Sequence, residues 1–198
     1  MILYKKIYRK KEDRNLPYQS LISILPKNII MITYFSKNFK LINQKNYNSF
    51  VTKLPIHKLT CSCGISGCLT KHAYYNRNVK TPDGILKLRI LRLRCNSCGK
   101  THAIFPICII PYSQILLKDH RNIIKAYKNG TSLEPIMLEN EYIDESNIRY
   151  IIRQYLRHWK ERLLAFKISL DSDTTFRCLK LFKRQFMQIK CVQNVLST

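Results

Sequence analysis

Acidic side chains are scarce in this chain. Against 35 Lys plus Arg, the 198 residues carry only 12 Asp plus Glu. So few carboxylates leave little for general acid–base work or for holding a catalytic magnesium ion, so the expectation is a protein that is not itself an enzyme. A Gly-rich phosphate loop, a His-hydrophobe-His pair and a serine or cysteine nucleophile beside a base are all missing. Long apolar runs are missing as well. The most apolar early stretch, Leu21 to Phe35, is broken by Pro26 and Lys27 and is too short to span a bilayer. The opening Met-Ile-Leu-Tyr-Lys-Lys lacks the apolar run and small-residue cleavage site of a secretory signal. These absences predict a cytoplasmic protein with no membrane partner, whose eight cysteines act as metal ligands and buried thiols rather than disulfides.

What is abundant is positive charge. The formal net charge is +23 and the pI about 9.9. Such an excess repels itself unless a polyanion neutralises it, and nucleic acid is the commonest such partner. Its distribution is uneven. Eight cations lie between Lys71 and Lys100 against Asp83 alone, and eleven lie between Lys5 and Lys53 against Glu12 and Asp13. From Lys118 to Leu170 the signs are better balanced, as on solvated helix faces. The phosphate-seeking surface is therefore expected on the middle of the chain and its N-terminal arm.

Hydrophobic periodicity divides the chain in three. Residues 1–55 read as a basic arm with short strands, Ile29 to Tyr34 being the best candidate. Residues 56–113 read as a hairpin bracketed by cysteine knuckles: a strand over Tyr74 to Lys80, a Thr81-Pro82-Asp83-Gly84 turn, and a return strand over Ile85 to Arg94. Leu86, Leu88 and Ile90 alternate with Lys87 and Arg89, but Leu91 and Leu93 then alternate with Arg92 and Arg94, a phase flip that predicts a bulge or twist near Leu91. Residues 114–198 read as helical. Leu116 to Asn129 precedes Gly130 as C-cap, and Ser132 to Asn140 makes a brief helix and turn. A helix entered through Asp144-Glu145-Ser146 carries apolar residues from Ile148 to Leu163 at a period near 3.6, Trp159 among them. Arg149, Arg153, Arg157 and Lys160 share one flank of it, and a last helix is expected from Thr174 to Lys190. The fold class expected is α+β, a small β-hairpin domain followed by an all-α domain.

The sharpest local signal is Cys61-Ser62-Cys63-Gly64 followed by Cys95-Asn96-Ser97-Cys98-Gly99-Lys100. Two close cysteine pairs carried across a hairpin can converge as four thiolates on one tetrahedral zinc ion, with each glycine free to adopt the positive φ of a tight knuckle. Cys61, Cys63, Cys95 and Cys98 are the first choice of ligands, with Cys68 in place of Cys61 the second, and His72 or His102 as a substitute the third. Four protein ligands leave no open position for water, so the single zinc would be structural. Cys108, Cys178 and Cys191 sit in apolar company and read as core.

The run CSCGISGCLTKHAYYNRNVKTPDGILKLRILRLRCNSCGKTHAIFPICIIPYS, Cys61 to Ser113, resembles the zinc ribbon at the front of bacterial insertion-sequence transposases and of an uncharacterised family of stand-alone proteins linked to mobile elements. It departs from such ribbons in the short first knuckle and in Ala73, where glycine is usual. The segment IDESNIRYIIRQYLRHW, Ile143 to Trp159, is similar to the second helix of the helix-turn-helix that follows that ribbon. The resemblance implies duplex DNA binding at element ends. Transposases of this type continue into a three-carboxylate nuclease core, whereas Glu161, Asp171 and Asp173 are the only acids after Trp159. The expectation is a non-catalytic DNA-binding protein. Arg77, Lys80, Lys87, Arg89, Arg92 and Arg94 would face phosphates, Asn147, Arg149, Tyr150 and Arg153 would lie nearest the bases, and Arg157 nearer the backbone. Two alternatives stay open: an adaptor that recruits a transposition or recombination protein, and an RNA binder using the Tyr74-Tyr75 pair beside Arg77.

Overall fold

The alternation of apolar and polar residues around the Pro82-Asp83 turn builds the longest elements of the protein. In the computed structural model, which describes residues 31–35, 42–189 and 193–196, strands β2 (Leu69–Thr81) and β3 (Gly84–Cys95) form a long antiparallel hairpin. Gly84 closes its two-residue loop at φ +107, a conformation that costs a side chain-bearing residue about 1 kcal/mol or more. Strand β4 (Thr101–Pro106) pairs antiparallel with β3, and β1 (Met31–Phe35) and β5 (Gln193–Leu196) extend the sheet in parallel, in the order β2-β3-β4-β1-β5. Helices α2 (Leu117–Lys128), α3 (Leu133–Glu139), α4 (Glu145–His158), α5 (Lys160–Ala165) and α6 (Thr174–Phe182) follow. The chain is thus a mixture of sheet and helices, α+β. Cys191 and the rest of the N-terminal arm lie outside the described residues.

The phase flip has a different cause from the one expected. Pairing runs unbroken through Tyr75↔Ile90 and Tyr74↔Leu91, and the one register shift lies on β2, between Lys71 and Ala73. Ile90 and Leu91 are consecutive and both fully buried, so the sheet is covered on both faces there. Toward the turn one face is buried, through Leu88 and Ile90; toward the cysteines it is the other, through Leu91, Leu93 and Cys95.

What covers that crossing is a helix absent from the sequence reading of the arm. Helix α1 (Gln44–Thr52) is N-capped by Asn43, whose side chain accepts from Asn46 N–H, and buries Tyr47, Phe50 and Val51. β3 and β4 pair only as far as Arg92↔Ala103. Beyond that point α1 takes the place of a strand: Leu91 N–H donates to Tyr47 Oη at 2.9 Å, Tyr47 Oη donates to the Ile104 carbonyl at 3.0 Å, and Arg89 N–H donates to Gln44 Oε1 at 2.8 Å. Tyr47→Phe keeps the ring but orphans one buried N–H and one buried carbonyl. It is expected to cost about 1–3 kcal/mol, read as a lower urea midpoint, and an unchanged midpoint would remove the phenol from this role.

Two cores result, meeting near residues 109–117. One joins α1, the hairpin and β4 around Tyr47, Leu88, Ile90, Leu91, Leu93, Ile104 and Phe105. The other joins the helices around Ile123, Ile124, Ile148, Ile151, Tyr155 and Trp159. α2 ends at Lys128 with Asn129 as its C-cap residue, and Gly130, the expected cap, follows it at φ +82. α6 is shorter than expected: Lys183 turns left-handed at φ +53 and the chain doubles back, so that buried Gln185 donates to the Ile107 carbonyl. Phe176 is 39% exposed, while Phe186 is fully buried from the turn rather than from a helix. No helix among the described residues is long and apolar enough to cross a membrane.

Candidate functional site

Three pieces of local structure bring the cysteines together. The segment 59–67 folds as a tight loop, with Cys61 N–H donating to Ile65 O, Gly64 N–H to Cys61 O and Gly67 N–H to Leu59 O. Gly64 at φ +90 turns it. The base of the hairpin sets Cys68, just before β2, beside Cys95 at the end of β3, through Leu69↔Cys95 and Asn96 N–H to Cys68 O. The second knuckle then reverses on Gly99, φ +71, with Gly99 N–H donating to Cys95 O and Cys95 N–H to Lys100 O.

The sulfurs of Cys61, Cys63, Cys68 and Cys95 lie within 4.8 Å of one another, close enough to hold a metal ion. Cys95 Sγ is 3.3 Å from Cys68 Sγ and 3.8 Å from Cys63 Sγ, and Cys61 Sγ is 3.5 Å from Cys98 Sγ. A disulfide needs about 2.0 Å, whereas thiolates about 2.3 Å from a tetrahedral zinc stand about 3.8 Å apart, so these spacings suit a shared ion and not a covalent bond. Burial opposes ionisation of the Cys61 and Cys68 thiols, and Cys95 is the thiol favoured as a thiolate. Burial pushes the Cys68 thiol up to about 11; Cys95 is also raised by burial, yet the amide N–H groups of Cys98 and Ser97 and the neighbouring thiols outweigh that and draw it down to about 6. Cys98 N–H donates to Cys95 Sγ at 3.4 Å, a bond that favours the thiolate.

Relative to the ligand set ranked first from sequence, Cys68 joins the quartet and Cys98 stands outside it, although Cys61 is kept. Cys68 therefore adds to Cys61 rather than replacing it. Of the two histidines named as substitutes, His72 is exposed on β2, and His102 on β4 is fully buried with Nε2 3.2 Å from Cys61 Sγ. Cys178 is buried and Cys108 packs against the core next to the hairpin.

The cationic residues divide into three groups. Arg77 is built into the fold: its guanidinium donates to the Ile110 and Ser113 carbonyls at 3.1 and 2.6 Å and stacks 4.9 Å from the Phe105 ring centroid. Lys80 is paired with Asp144 at the start of α4, an ion pair that holds the Asp144 carboxyl below its usual range, and its backbone N–H donates to Gln114 O. These two, expected to face phosphates, instead fasten the hairpin to the helical half. Lys87, Arg89, Arg92 and Arg94 are exposed on β3, but the pairing register puts Lys87 and Arg89 on one face and Arg92 and Arg94 on the other. Arg89 stacks on Tyr74 at 5.3 Å and Arg92 on Tyr75 at 4.6 Å. On α4, Arg149, Tyr150, Arg153 and Arg157 are exposed and Asn147 is half-buried, its amide donating to Asp144 Oδ2. Arg149 pairs with Glu145 at 2.6 Å, an exposed i,i+4 bridge worth about 0.3–0.5 kcal/mol and so no obstacle to a stronger partner.

Residues 60–149 match a family described as a domain of unknown function (DUF6431). That match is under half of the chain, yet it begins one residue before Cys61, contains every donor of the cysteine cluster together with the hairpin, and ends in the second turn of α4. No curated protein and no solved structure matches the chain. The matched region is thus the metal-capable hairpin plus the helices leading to the start of α4, while α1, which plugs the sheet, and α6, which closes the second core, lie outside it.

Proposed function

We propose that this chain is a non-catalytic, zinc-dependent protein that binds duplex DNA and shares its origin with the DNA-binding part of insertion-sequence transposases. The observation that carries this reading is the coupling of a buried thiol cluster to a cationic exterior: the cluster closes the base of β2 and β3, and the strand it clamps carries Lys87, Arg89, Arg92 and Arg94 on its exposed positions. Zinc supplies folding free energy there and no chemistry, since the quartet already fills a tetrahedral shell. Each of the two exposed pairs on β3 can meet a phosphate, but a flat duplex backbone reaches only one face of the hairpin at a time, so Lys87 with Arg89 and Arg92 with Arg94 act as separate groups.

Helices α3 and α4, joined by residues 140–144, have the lengths and order of a helix-turn-helix, with α4 as the helix that enters the major groove. Its buried side holds Ile148, Ile151 and Tyr155 against the second core, and Arg149, Tyr150 and Arg153 are exposed on the outside. Arg149→Ala is expected to lower discrimination at one base pair by about 1–3 kcal/mol, seen by comparing cognate and mismatched duplexes. Arg92→Ala is expected to weaken all duplexes alike and to reduce the slope of log affinity against log salt by about one. The decisive experiment is selection of bound fragments from random duplex DNA by the zinc-loaded protein, followed by salt titration; recovery of no common site, or affinity independent of salt, would refute the reading. An RNA reading has one observation in its favour, since Tyr74 is 49% exposed and offers a face beside Arg89 for an unpaired base. Competition between duplex DNA and structured RNA at equal salt separates the two.

A further inference from the structure

The outer flank of α4 is not uniformly polar. Beside its arginines it carries Ile152, half-buried, and Leu156, 39% exposed, which join Leu133 and Ile136 of α3 and Tyr127 of α2 as the floor of an open trough of about 860 Å³. Arg149, Arg153 and Arg157 form one wall, and no acid among the described residues lines the trough. These arginines stand at i, i+4 and i+8, about 6 Å apart at the rise of a helix. Phosphates would satisfy the wall and leave the apolar floor wet, so duplex DNA accounts for the arginines and not for the leucine and isoleucine beside them. A complementary occupant brings an apolar side chain with carboxylates around it.

The chain carries such a surface itself. Leu138, at the end of α3, is 66% exposed, the highest value among the exposed large hydrophobic residues described. Glu134, Glu139 and Glu141 lie within four residues of it, all exposed, in a chain with only 12 Asp plus Glu. Among the described residues neither these glutamates nor Arg153 and Arg157 form an ion pair. Helix α3 places Leu133 and Ile136 in the trough and Leu138 outside it, so knob and trough are about 10 Å apart, one helix width.

We infer that a second copy of this chain fills the trough, in a two-fold dimer in which Leu138 of each copy enters the trough of the other and the surrounding glutamates meet its arginine wall. Because each copy carries both halves close together, one two-fold axis makes both contacts at once and closes the assembly. The positive excess of two copies does not forbid it. The cations of β3 belong to the other half of the molecule, and exposed charges more than about 8 Å apart are largely screened at physiological salt. Arg149 and Arg153 also lie on the face proposed to meet bases, so pairing and base contact exclude one another and the dimer is the form that does not read DNA, although the dimer itself needs nothing of the DNA reading.

Sedimentation velocity of the full-length, zinc-loaded protein across about 1–200 µM tests this pairing. The expected result is a reversible equilibrium between monomer and dimer. Leu138→Arg and Leu156→Arg each alter an exposed position, so helical content should be retained, and each is expected to weaken the dimer about tenfold or more. A variant carrying Glu134→Lys and Glu139→Lys, and another carrying Arg153→Glu and Arg157→Glu, should each be monomeric. An equal mixture of these two should pair again, because every trough then meets a knob of opposite charge, and a variant that fails to fold could not show that recovery. A protein monomeric at every concentration, a dimer that survives both leucine variants, or a mixture that stays monomeric would each overturn the pairing and leave the DNA reading untouched.

Discussion

Replacing Cys95 by serine is expected to empty the cluster and unfold the base of the hairpin. Cys95 Sγ meets both Cys68 and Cys63, it is fully buried, and its own residue pairs with Leu69 and anchors the Gly99 knuckle. A serine hydroxyl is a poor ligand for zinc, and metal binding to a structural site of this kind is worth about 10–16 kcal/mol, most of which is folding free energy. The loss on Cys95→Ser is therefore expected to be on the order of 5 kcal/mol or more. The measurement is amide hydrogen exchange with zinc content in parallel: protection should vanish in β2, β3 and β4, the zinc should be gone, and a chelator acting on the unaltered protein should reproduce both effects. Duplex affinity should fall with it, because the hairpin positions Arg89, Arg92 and Arg94, the first two stacked on Tyr74 and Tyr75 of β2. A Cys95→Ser protein with full protection in the hairpin would show that the hydrophobic core alone holds the ribbon, and would leave the cysteines without a structural role.

The hairpin and its cysteines were legible in the sequence because their signals are local. A Pro-Asp-Gly turn, period-2 alternation and glycines just past cysteine pairs each act within a few residues, and the structure places the turn and both knuckles accordingly. The same holds for α2, whose apolar positions sit within one helix and whose terminating Gly130 follows directly on the cap. What stayed hidden depends on partners far along the chain. Gln44–Thr52 read as part of a basic arm because Tyr47 earns its place only through Leu91 and Ile104, which lie 44 and 57 residues away. Arg77 looked like one more solvated cation on an alternating strand, and it is half-buried against the Ile110–Ser113 turn. Cys98 and Cys68 exchanged rank because the sequence spacing of a knuckle does not say which loop lies on which side of the ion. The flip at Leu91 was read as a bulge or twist because periodicity records which residues are covered, not which face they point to.

Removal of the Trp159 side chain should damage the other half of the molecule and spare the cluster. Trp159 is the largest fully buried side chain, sits where α4 gives way to α5, and meets Phe186 edge-on at 5.4 Å and Phe182 at 6.2 Å. Those phenylalanines come from the end of α6 and the turn after it, so one indole joins the base of α4 to the closing segment of the chain. Trp159→Ala leaves a cavity that the rings cannot fill, and a cost of about 3–5 kcal/mol is expected, which for a chain of this size lowers the melting temperature by roughly 6–20 °C. Because Trp159 belongs to the helical core and the sulfurs to the hairpin core, the zinc content and the exchange protection of β2 and β3 should be unchanged. Sequence-specific binding should weaken more than non-specific binding, since α4 loses its support while the β3 cations keep theirs. The pair of variants then forms a double dissociation: Cys95→Ser removes metal and hairpin protection, Trp159→Ala removes helical stability and base discrimination. If Trp159→Ala also released the metal, the Arg77, Lys80 and Gln185 links across the boundary would be strong enough to make the two cores a single cooperative unit, and α4 could not be reading bases independently of the ribbon.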